Sequence, residues 1–159
     1  MIFGIRGLKS GSIRSDKIAA LCDKQSVKLQ RDASGVDWSA LEELFRLAHL
    51  GGRVGAKLRR AFEKSDLVVL AFEDAKLIGA ARALTDFEYH ASIYDLAVHP
   101  EYQRQGIGTK ILEELMAGLK VWRVLLVADA FVQPFYARLG FHAYGDVLAR
   151  LDPSHLYDC

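Results

Sequence analysis

The chain has 159 residues, 51% of them hydrophobic and 26% charged, which favours one domain with an ordinary buried core. The formal net charge is +1, so no overall field would draw the protein onto nucleic acid or an anionic membrane. The two cysteines, Cys22 and Cys159, lie too far apart in the sequence for a disulfide scaffold or a cysteine zinc site. No apolar run reaches the roughly 18–20 residues that cross a bilayer. We therefore expect a soluble cytoplasmic protein that binds neither nucleic acid nor membrane.

The first third of the chain contains one predicted strand and two predicted helices. Residues 26–31 alternate between polar and apolar side chains, which is typical of a strand. Asp37 stands at an N-cap position before apolar residues at helical spacing, and the pair Gly51 and Gly52 is expected to end that helix. A second helix is predicted over residues 54–64. We interpret the basic side chains in this region as a solvated face, with contact to an acidic acceptor or partner as the alternative: Arg53, Lys57, Arg59, Arg60 and Lys64.

The middle of the chain predicts three consecutive strands. Residues 67–72 form a buried apolar run, residues 73–76 are polar enough for a turn, and residues 77–84 return as the second strand of a hairpin. A third strand is predicted over residues 90–98 after another polar turn. Three strands in succession indicate antiparallel pairing in this part of the sheet.

The last third alternates helices and strands. One face of a predicted helix that begins at Ile107 is apolar, and residues 121–128 are apolar apart from Arg123, from which we predict a strand covered on both faces. A short helix over residues 131–139 and a final strand over residues 141–150 complete the pattern. The order β-α-α-β-β-β-α-β-α-β predicts a mixed α/β sheet rather than a doubly wound one. We assign residues 26–151 to this single domain, 1–25 to an N-terminal extension and 152–159 to a C-terminal tail.

Residues 103–109, Gln-Arg-Gln-Gly-Ile-Gly-Thr, join the third strand to the following helix. Glycines let a backbone approach a ligand closely, and a helix N-terminus offers free N–H groups and a positive dipole end, a combination that suits a phosphate or pyrophosphate. A dinucleotide fingerprint would need glycine at Ile111, and a P-loop would need four residues between its glycines. The spacing that remains is Q-x-x-G-x-G.

This hexapeptide resembles the pyrophosphate loop of the GNAT acetyltransferase superfamily. Residues 135–141, Phe-Tyr-Ala-Arg-Leu-Gly-Phe, resemble a second segment of that superfamily and follow a hydrophobic strand, as its fold requires. Residues 77–83, 93–98 and 132–136 are similar to the plant-type serotonin N-acetyltransferase branch and its bacterial relatives. The resemblance implies a mostly antiparallel central sheet, flanked by helices, in which one bulged strand splays from its neighbour.

The resemblance also implies acetyl-CoA as the acetyl donor and assigns its contacts. Backbone groups of Leu96, Ala97 and Val98 are expected to pair with the pantetheine arm and to polarise the thioester carbonyl. Arg104 and Lys110 either lie near the 3′-phosphate or are ordinary solvated side chains. The backbone amides expected at the pyrophosphate belong to Gln103, Arg104, Gln105, Gly106, Ile107, Gly108 and Thr109.

Tyr136 matches the position of the family's usual acid, which protonates the departing CoA thiolate. The amine needs a base, because a primary amine with a pKa near ~10 is mostly protonated at neutral pH. Asp95 could serve if the bulge turns it inward, and a water relay is the alternative. Alternate residues of a strand share a face, so we place His90, Ser92 and Tyr94 together at the acceptor cleft, with His90 as a further candidate base. This placement assumes that Leu96 and Val98 continue the same face.

We expect direct transfer of an acetyl group to a primary amine of a small molecule, such as an arylalkylamine or a polyamine. Acetylation of a protein lysine or N-terminus is the nearest alternative, and a non-catalytic acetyl-CoA-binding module is another. The remaining histidines lack metal-ligand spacing, so no metal is predicted. A homodimer is compatible with the family, although no segment of the sequence specifies its interface.

Overall fold

A computed structural model describes residues 26–145, which form one five-stranded sheet with the spatial order β1-β2-β3-β4-β5. The strands are β1 (Val27–Gln30), β2 (Leu67–Glu73), β3 (Lys76–Thr85), β4 (His90–Val98) and β5 (Arg123–Leu125). The first four pair antiparallel with their sequence neighbours, whereas β5 runs parallel to β4. The predicted mixed, mostly antiparallel sheet is confirmed. The predicted N-terminal extension and C-terminal tail lie outside the described residues.

Four α-helices occur in the described part of the chain: α1 (Trp38–Leu47), α2 (Gly55–Glu63), α3 (Ile107–Gly118) and α4 (Gln133–Ala137). Asp37 caps α1 as predicted, since its carboxylate accepts hydrogen bonds from the backbone N–H groups of Ser39 and Ala40. The predicted glycine stop after α1 is displaced, because His49 takes the left-handed conformation (φ 59°). The N–H of His49 bonds to the carbonyl of Arg46, and that of Leu50 to Phe45, which is the Schellman arrangement.

Removal of the Asp37 carboxylate tests the cap of α1. We expect Asp37→Ala to lower the free energy of unfolding by about 1 kcal/mol, because the N–H groups of Ser39 and Ala40 lose their acceptor. Urea denaturation followed by circular dichroism measures the change. Asp37→Asn keeps an acceptor oxygen and should retain most of the stability; an equal loss in both variants would contradict the capping role.

Apolar side chains fill both faces of the sheet. On one face α1 and α2 pack Leu41, Phe45, Leu58 and Phe62 against alternate residues of the central strands. On the other face α3 contributes Ile107, Ile111, Leu112 and Leu115. This alternation follows from the two-residue period of a strand, and it leaves the central strands buried between two helical layers.

The C-terminal part of the sheet differs from the prediction. The strand expected over residues 121–128 spans only Arg123–Leu125, and its side chains are half-buried rather than covered on both faces. Trp122 and Val127, at either side of it, are 76% and 93% exposed. The prediction of length and burial was wrong because β5 has only β4 as a partner among residues 26–145 and diverges from it after three residue pairs.

The last two predicted elements are only partly described. The short helix expected over residues 131–139 is present as α4. Residues 141–145 contain no strand, and residues 146–150 of the predicted final strand lie outside the described part of the chain. Within residues 26–145, no helix has the length and apolar character required to span a membrane.

Candidate active site

Strands β4 and β5 separate in the middle of the molecule. Their pairing covers His90 to Ser92 on β4 and ends at the Ser92–Leu125 pair, whereas β4 stays paired with β3 as far as Val98. The second half of β4 therefore lacks a strand partner on its β5 side among the described residues. This opening is the splay that the resemblance predicted.

A β-bulge interrupts β4 where the splay begins. Arg82 of β3 lies opposite Tyr94 and Ala80 opposite Ala97, so Ala81 alone faces both Asp95 and Leu96. Asp95 adopts the left-handed conformation with φ 56°. An extra residue of this kind bends a strand and changes the direction of the side chains that follow.

The bulge reverses the alternation of side chains along β4. His90, Ser92 and Tyr94 share a face, as predicted, but they lie on the side of α1 and α2. Leu96 and Val98 instead pack into the core on the side of α3. The assumption that all five residues continue one face was wrong, because strict alternation holds only for an uninterrupted strand.

The segment between β4 and α3 has the backbone that an anion loop requires. Arg104 (φ 61°) and Gly106 (φ 82°) both adopt the left-handed conformation, and Gly106 is the N-cap of α3 without a side-chain hydrogen bond to the helix. The first backbone bond of α3 joins the N–H of Lys110 to the carbonyl of Gly106. The N–H groups of residues 107–109 precede that bond and can donate to a ligand.

Two glutamines hold this loop in place. The side-chain amide of Gln103 donates to the carbonyl of Val98 (3.1 Å), and that of Gln105 donates to the carbonyl of Glu101 (2.8 Å). Their side chains therefore tie the loop to the end of β4 and to the 3₁₀ turn Pro100–Tyr102 that precedes the loop. Arg104 and Lys110 are both exposed.

Tyr136 stands between two aromatic rings on α4 and the segment after it. Its ring centroid lies 5.0 Å from that of Phe135 and 5.9 Å from that of Phe141, both edge to face. A Cβ atom on Gly108 would lie 3.4 Å from the Phe135 ring and 3.6 Å from Val98. Phe135 thus packs Tyr136 onto the first turn of α3 and the end of β4. Burial raises the pKa of Tyr136 above its ordinary value, which keeps its hydroxyl protonated at neutral pH.

Asp95 is turned inward, as its predicted role requires, but both of its oxygens are engaged. One accepts a hydrogen bond from Nε of Arg82 at 2.6 Å and the other from Nε of Arg53 at 3.1 Å. Sequence reasoning missed both arginines. The prediction that Arg53 is part of a solvated helix face was wrong, because it precedes α2 and reaches into the sheet. The signal for Arg82 was a charged residue within a strand of small apolar side chains.

The predicted acceptor residues line an open groove of about 360 Å³ on the α1 and α2 side of β4. Its lining includes His90, Ser92 and Tyr94, together with Asp66 and Asp86. Backbone N–H groups, that of His90 foremost, lower the pKa of Asp86 to about 2, so this carboxylate is anionic at physiological pH. The nearest distance between His90 Nδ1 and Asp86 Oδ2 is 3.7 Å. Across residues 26–145, no three His, Cys, Asp or Glu side chains are placed to share a metal ion.

Comparison with known proteins agrees with this geometry. The family model of the acetyltransferase (GNAT) domain matches residues 64–143, which include β2 to β4, the anion loop and Tyr136. A chain of Xanthomonas campestris pv. campestris assigned to the GNAT family superposes with a TM-score of 0.71 at 24% identity, covering 83% of this chain and 96% of that one. A GNAT family protein of Streptococcus pneumoniae superposes with a TM-score of 0.67 at 23% identity, covering 80% of this chain and 100% of that one.

Two plant proteins are among the curated relatives that the chain resembles. Serotonin N-acetyltransferase 2, chloroplastic, of Oryza sativa subsp. japonica is 34% identical over 120 residues, covering 71% of this chain and 60% of the relative. GCN5-related N-acetyltransferase 2, chloroplastic, of Arabidopsis thaliana is 43% identical over 74 residues, or 45% of this chain and 29% of the relative. The chain thus matches less than two thirds of the length of either. With the family model covering half of its residues and the splay, the bulge and the anion loop all in place, the chain belongs to the GNAT family of acetyltransferases.

Proposed function

We propose that the protein transfers an acetyl group from acetyl-CoA to a primary amine of a small molecule, by direct attack of the amine in a ternary complex. The observation that carries this proposal is the convergence of three features at one place. These are the edge of β4 that has no strand partner within residues 26–145, the N-terminus of α3, and Tyr136. Contacts of Phe135, Gly108 and Val98 join them.

The residues have separable roles in this reaction. The N–H groups of residues 107–109 bind the pyrophosphate, since Gly106 in the left-handed conformation keeps the helix end free of a side-chain cap. Backbone groups of Leu96, Ala97 and Val98 bind the pantetheine arm and polarise the acetyl carbonyl. Tyr136 gives its proton to the CoA thiolate as the C–S bond breaks and the C–N bond forms. The side chains of His90, Ser92 and Tyr94 meet the acceptor from the other face of β4.

The amine must lose a proton before or during its attack. Asp95 as the base would take up the proton beside two guanidinium groups, and its protonation would weaken both ion pairs. His90 at the groove or a water that passes the proton to solvent involves no such loss. These alternatives can be distinguished by the dependence of kcat on pH. Replacement of Asp95 or His90 changes the acidic limb of that profile only if the replaced side chain is the base.

The activities for which two relatives are named bear on the acceptor. The rice relative is a serotonin N-acetyltransferase, which supports an arylalkylamine, and the open groove beside Tyr94 is compatible with either an arylalkylamine or a polyamine. A Glycine max relative, 42% identical over 74 residues, is named a histone acetyltransferase, so a peptide lysine is the second candidate. A cytoplasmic location and a homodimer stay predictions.

Release of CoA in the presence of an amine panel tests the proposal. The panel contains an arylalkylamine, a polyamine, a lysine-containing peptide and a peptide with a free N-terminus. We expect saturable, acetyl-CoA-dependent turnover with at least one small amine and weaker turnover with the peptides. Turnover with a peptide alone would favour protein acetylation, and tight binding of acetyl-CoA with no transfer would favour a non-catalytic module.

A further inference from the structure

Three charged side chains, Arg53, Arg82 and Asp95, meet beside the bulge of β4, and we name them the Asp95 triad. The Asp95 side chain is 6% exposed and that of Arg82 15% exposed, whereas Arg53 is 40% exposed at the edge of the cluster. Charged groups this well buried are costly unless they are paired and hydrogen-bonded. The two guanidinium groups provide that pairing.

The triad joins parts of the protein that are distant in sequence. Arg82 belongs to β3, lies 5.0 Å from the centre of the Tyr94 ring and donates weakly to Ser65 Oγ at 3.4 Å. Arg53 belongs to the connection between α1 and α2, where it also donates to the carbonyl of Gly51 at 2.8 Å. Asp95 therefore links β4 to β3 and to the connection between α1 and α2.

The conformation of Asp95 depends on these contacts. A left-handed φ is unfavourable for a residue with a Cβ atom and persists where the surroundings hold it. The same conformation produces the bulge, and the bulge sets the direction of Leu96, Ala97 and Val98. A change in the charge pairing would thus be transmitted to the backbone that is proposed to polarise the acetyl carbonyl.

We propose that Arg82, assisted by Arg53, is a positioning residue that acts through Asp95 to hold the bulge of β4 and thereby to orient the acetyl-binding backbone of residues 96–98. This inference rests on the proposed acetyl transfer. It assigns Asp95 a positioning role in place of proton abstraction, because each carboxylate oxygen is held by a guanidinium group and the side chain is only 6% exposed.

Two single variants and their combination test the proposal. Asp95→Asn keeps the size of the side chain and a residue type that tolerates the left-handed region, while Arg82→Gln removes the other charge. We expect each to lower kcat ~10–100-fold, as displacement of a reacting group does, and the double variant to lose little more than either single one. Arg82→Lys should recover part of kcat. Arg46→Gln, which breaks the exposed pair with Glu43 on α1, is the matched control.

A second readout separates positioning from a general loss of structure. Binding of acetyl-CoA and of CoA is measured by calorimetry for each variant, with a thermal melt to verify folding. If the groups that bind the acetyl carbonyl are misplaced, the binding of acetyl-CoA weakens more than the binding of CoA. If the fold is disturbed, the binding of both ligands weakens to the same extent. Arg53→Gln, at the exposed edge of the triad, gives the same comparison if Arg82→Gln does not fold.

The proposal is overturned if folded Arg82→Gln keeps kcat within twofold of the wild type, or if the losses of the two single variants multiply. If kcat falls in Asp95→Asn but not in Arg82→Gln, Asp95 is assigned to proton abstraction instead. If the wild type binds acetyl-CoA and acetylates an amine, and the variants have the same kcat, only the positioning role of the triad is contradicted. A wild type that fails to bind acetyl-CoA contradicts the acetyl transfer and the triad together.

Discussion

Gly106→Asp is expected to abolish the thermal stabilisation that acetyl-CoA gives to the wild type. A ligand at 100 times its dissociation constant adds about 2.7 kcal/mol, or a rise in Tm of roughly 5–10 °C for a domain of this size. Aspartate at this position would introduce a negative charge at the N-terminus of α3, where the N–H groups of residues 107–109 are proposed to bind the pyrophosphate. Repulsion between the two anions would prevent binding.

Backbone strain has to be separated from this charge effect. No atom lies within 4 Å of a Cβ added to Gly106, but its φ of +82° makes any side chain unfavourable there, by about 1–2 kcal/mol. Gly35, with φ +66° and equally open surroundings, lies in the turn after β1. Gly35→Asp carries the same strain and charge, and should keep the full acetyl-CoA shift. A retained shift in Gly106→Asp would contradict the assignment of the pyrophosphate loop.

Tyr136→Phe is expected to lower kcat by about 100-fold, the typical contribution of a positioned acid, without changing the affinity for acetyl-CoA. The ring contacts with Phe135 and Phe141 do not involve the hydroxyl, so the packing of α4 survives. Steady-state kinetics with the best amine of the panel, combined with calorimetry of acetyl-CoA binding, measures the two effects separately.

The pH dependence of the same reaction provides a further test of Tyr136. Burial raises its pKa above 10.0, so the acid form is present throughout the neutral range and is lost only as the pH rises through that elevated value. The ratio of the wild-type kcat to the kcat of Tyr136→Phe should therefore be constant between pH 6 and 9. Tyr89→Phe, at a 61% exposed position of the β3–β4 turn, is the control. Turnover of Tyr136→Phe within threefold of the wild type would support a packing role instead.

The parts of the fold that the sequence predicts well are those with strong local signals. The limits of β4 agree to the residue, and the Asp37 cap, the β2–β3 hairpin and the start of α3 at Ile107 agree as well. Each depends on neighbours in sequence: a polar turn, an N-cap or a glycine pair. The loop and the Tyr136 segment were instead proposed from their resemblance to two segments of the GNAT superfamily.

Features that depend on tertiary pairing could not be predicted. The short β5 follows from its divergence from β4, which the apolar run at residues 121–128 does not encode. The reversal of side chains after Tyr94 follows from one unpaired residue opposite Ala81. Arg53 and Asp95 meet across 42 positions of sequence, and no local pattern relates them.

The bulge in β4 also divides the strand into two kinds of recognition surface. After Asp95 the proposed contribution is main chain, and main-chain groups are the same whatever side chains they carry. Before Asp95 the contribution is side chains alone, those of His90, Ser92 and Tyr94. If the proposed function holds, substitutions at these three positions would change which amine is accepted and leave the donor site as it is. Acceptor preference would accordingly be open to evolution and to redesign at these three positions, whereas the intervening Ala91 and Ile93 are buried in the core.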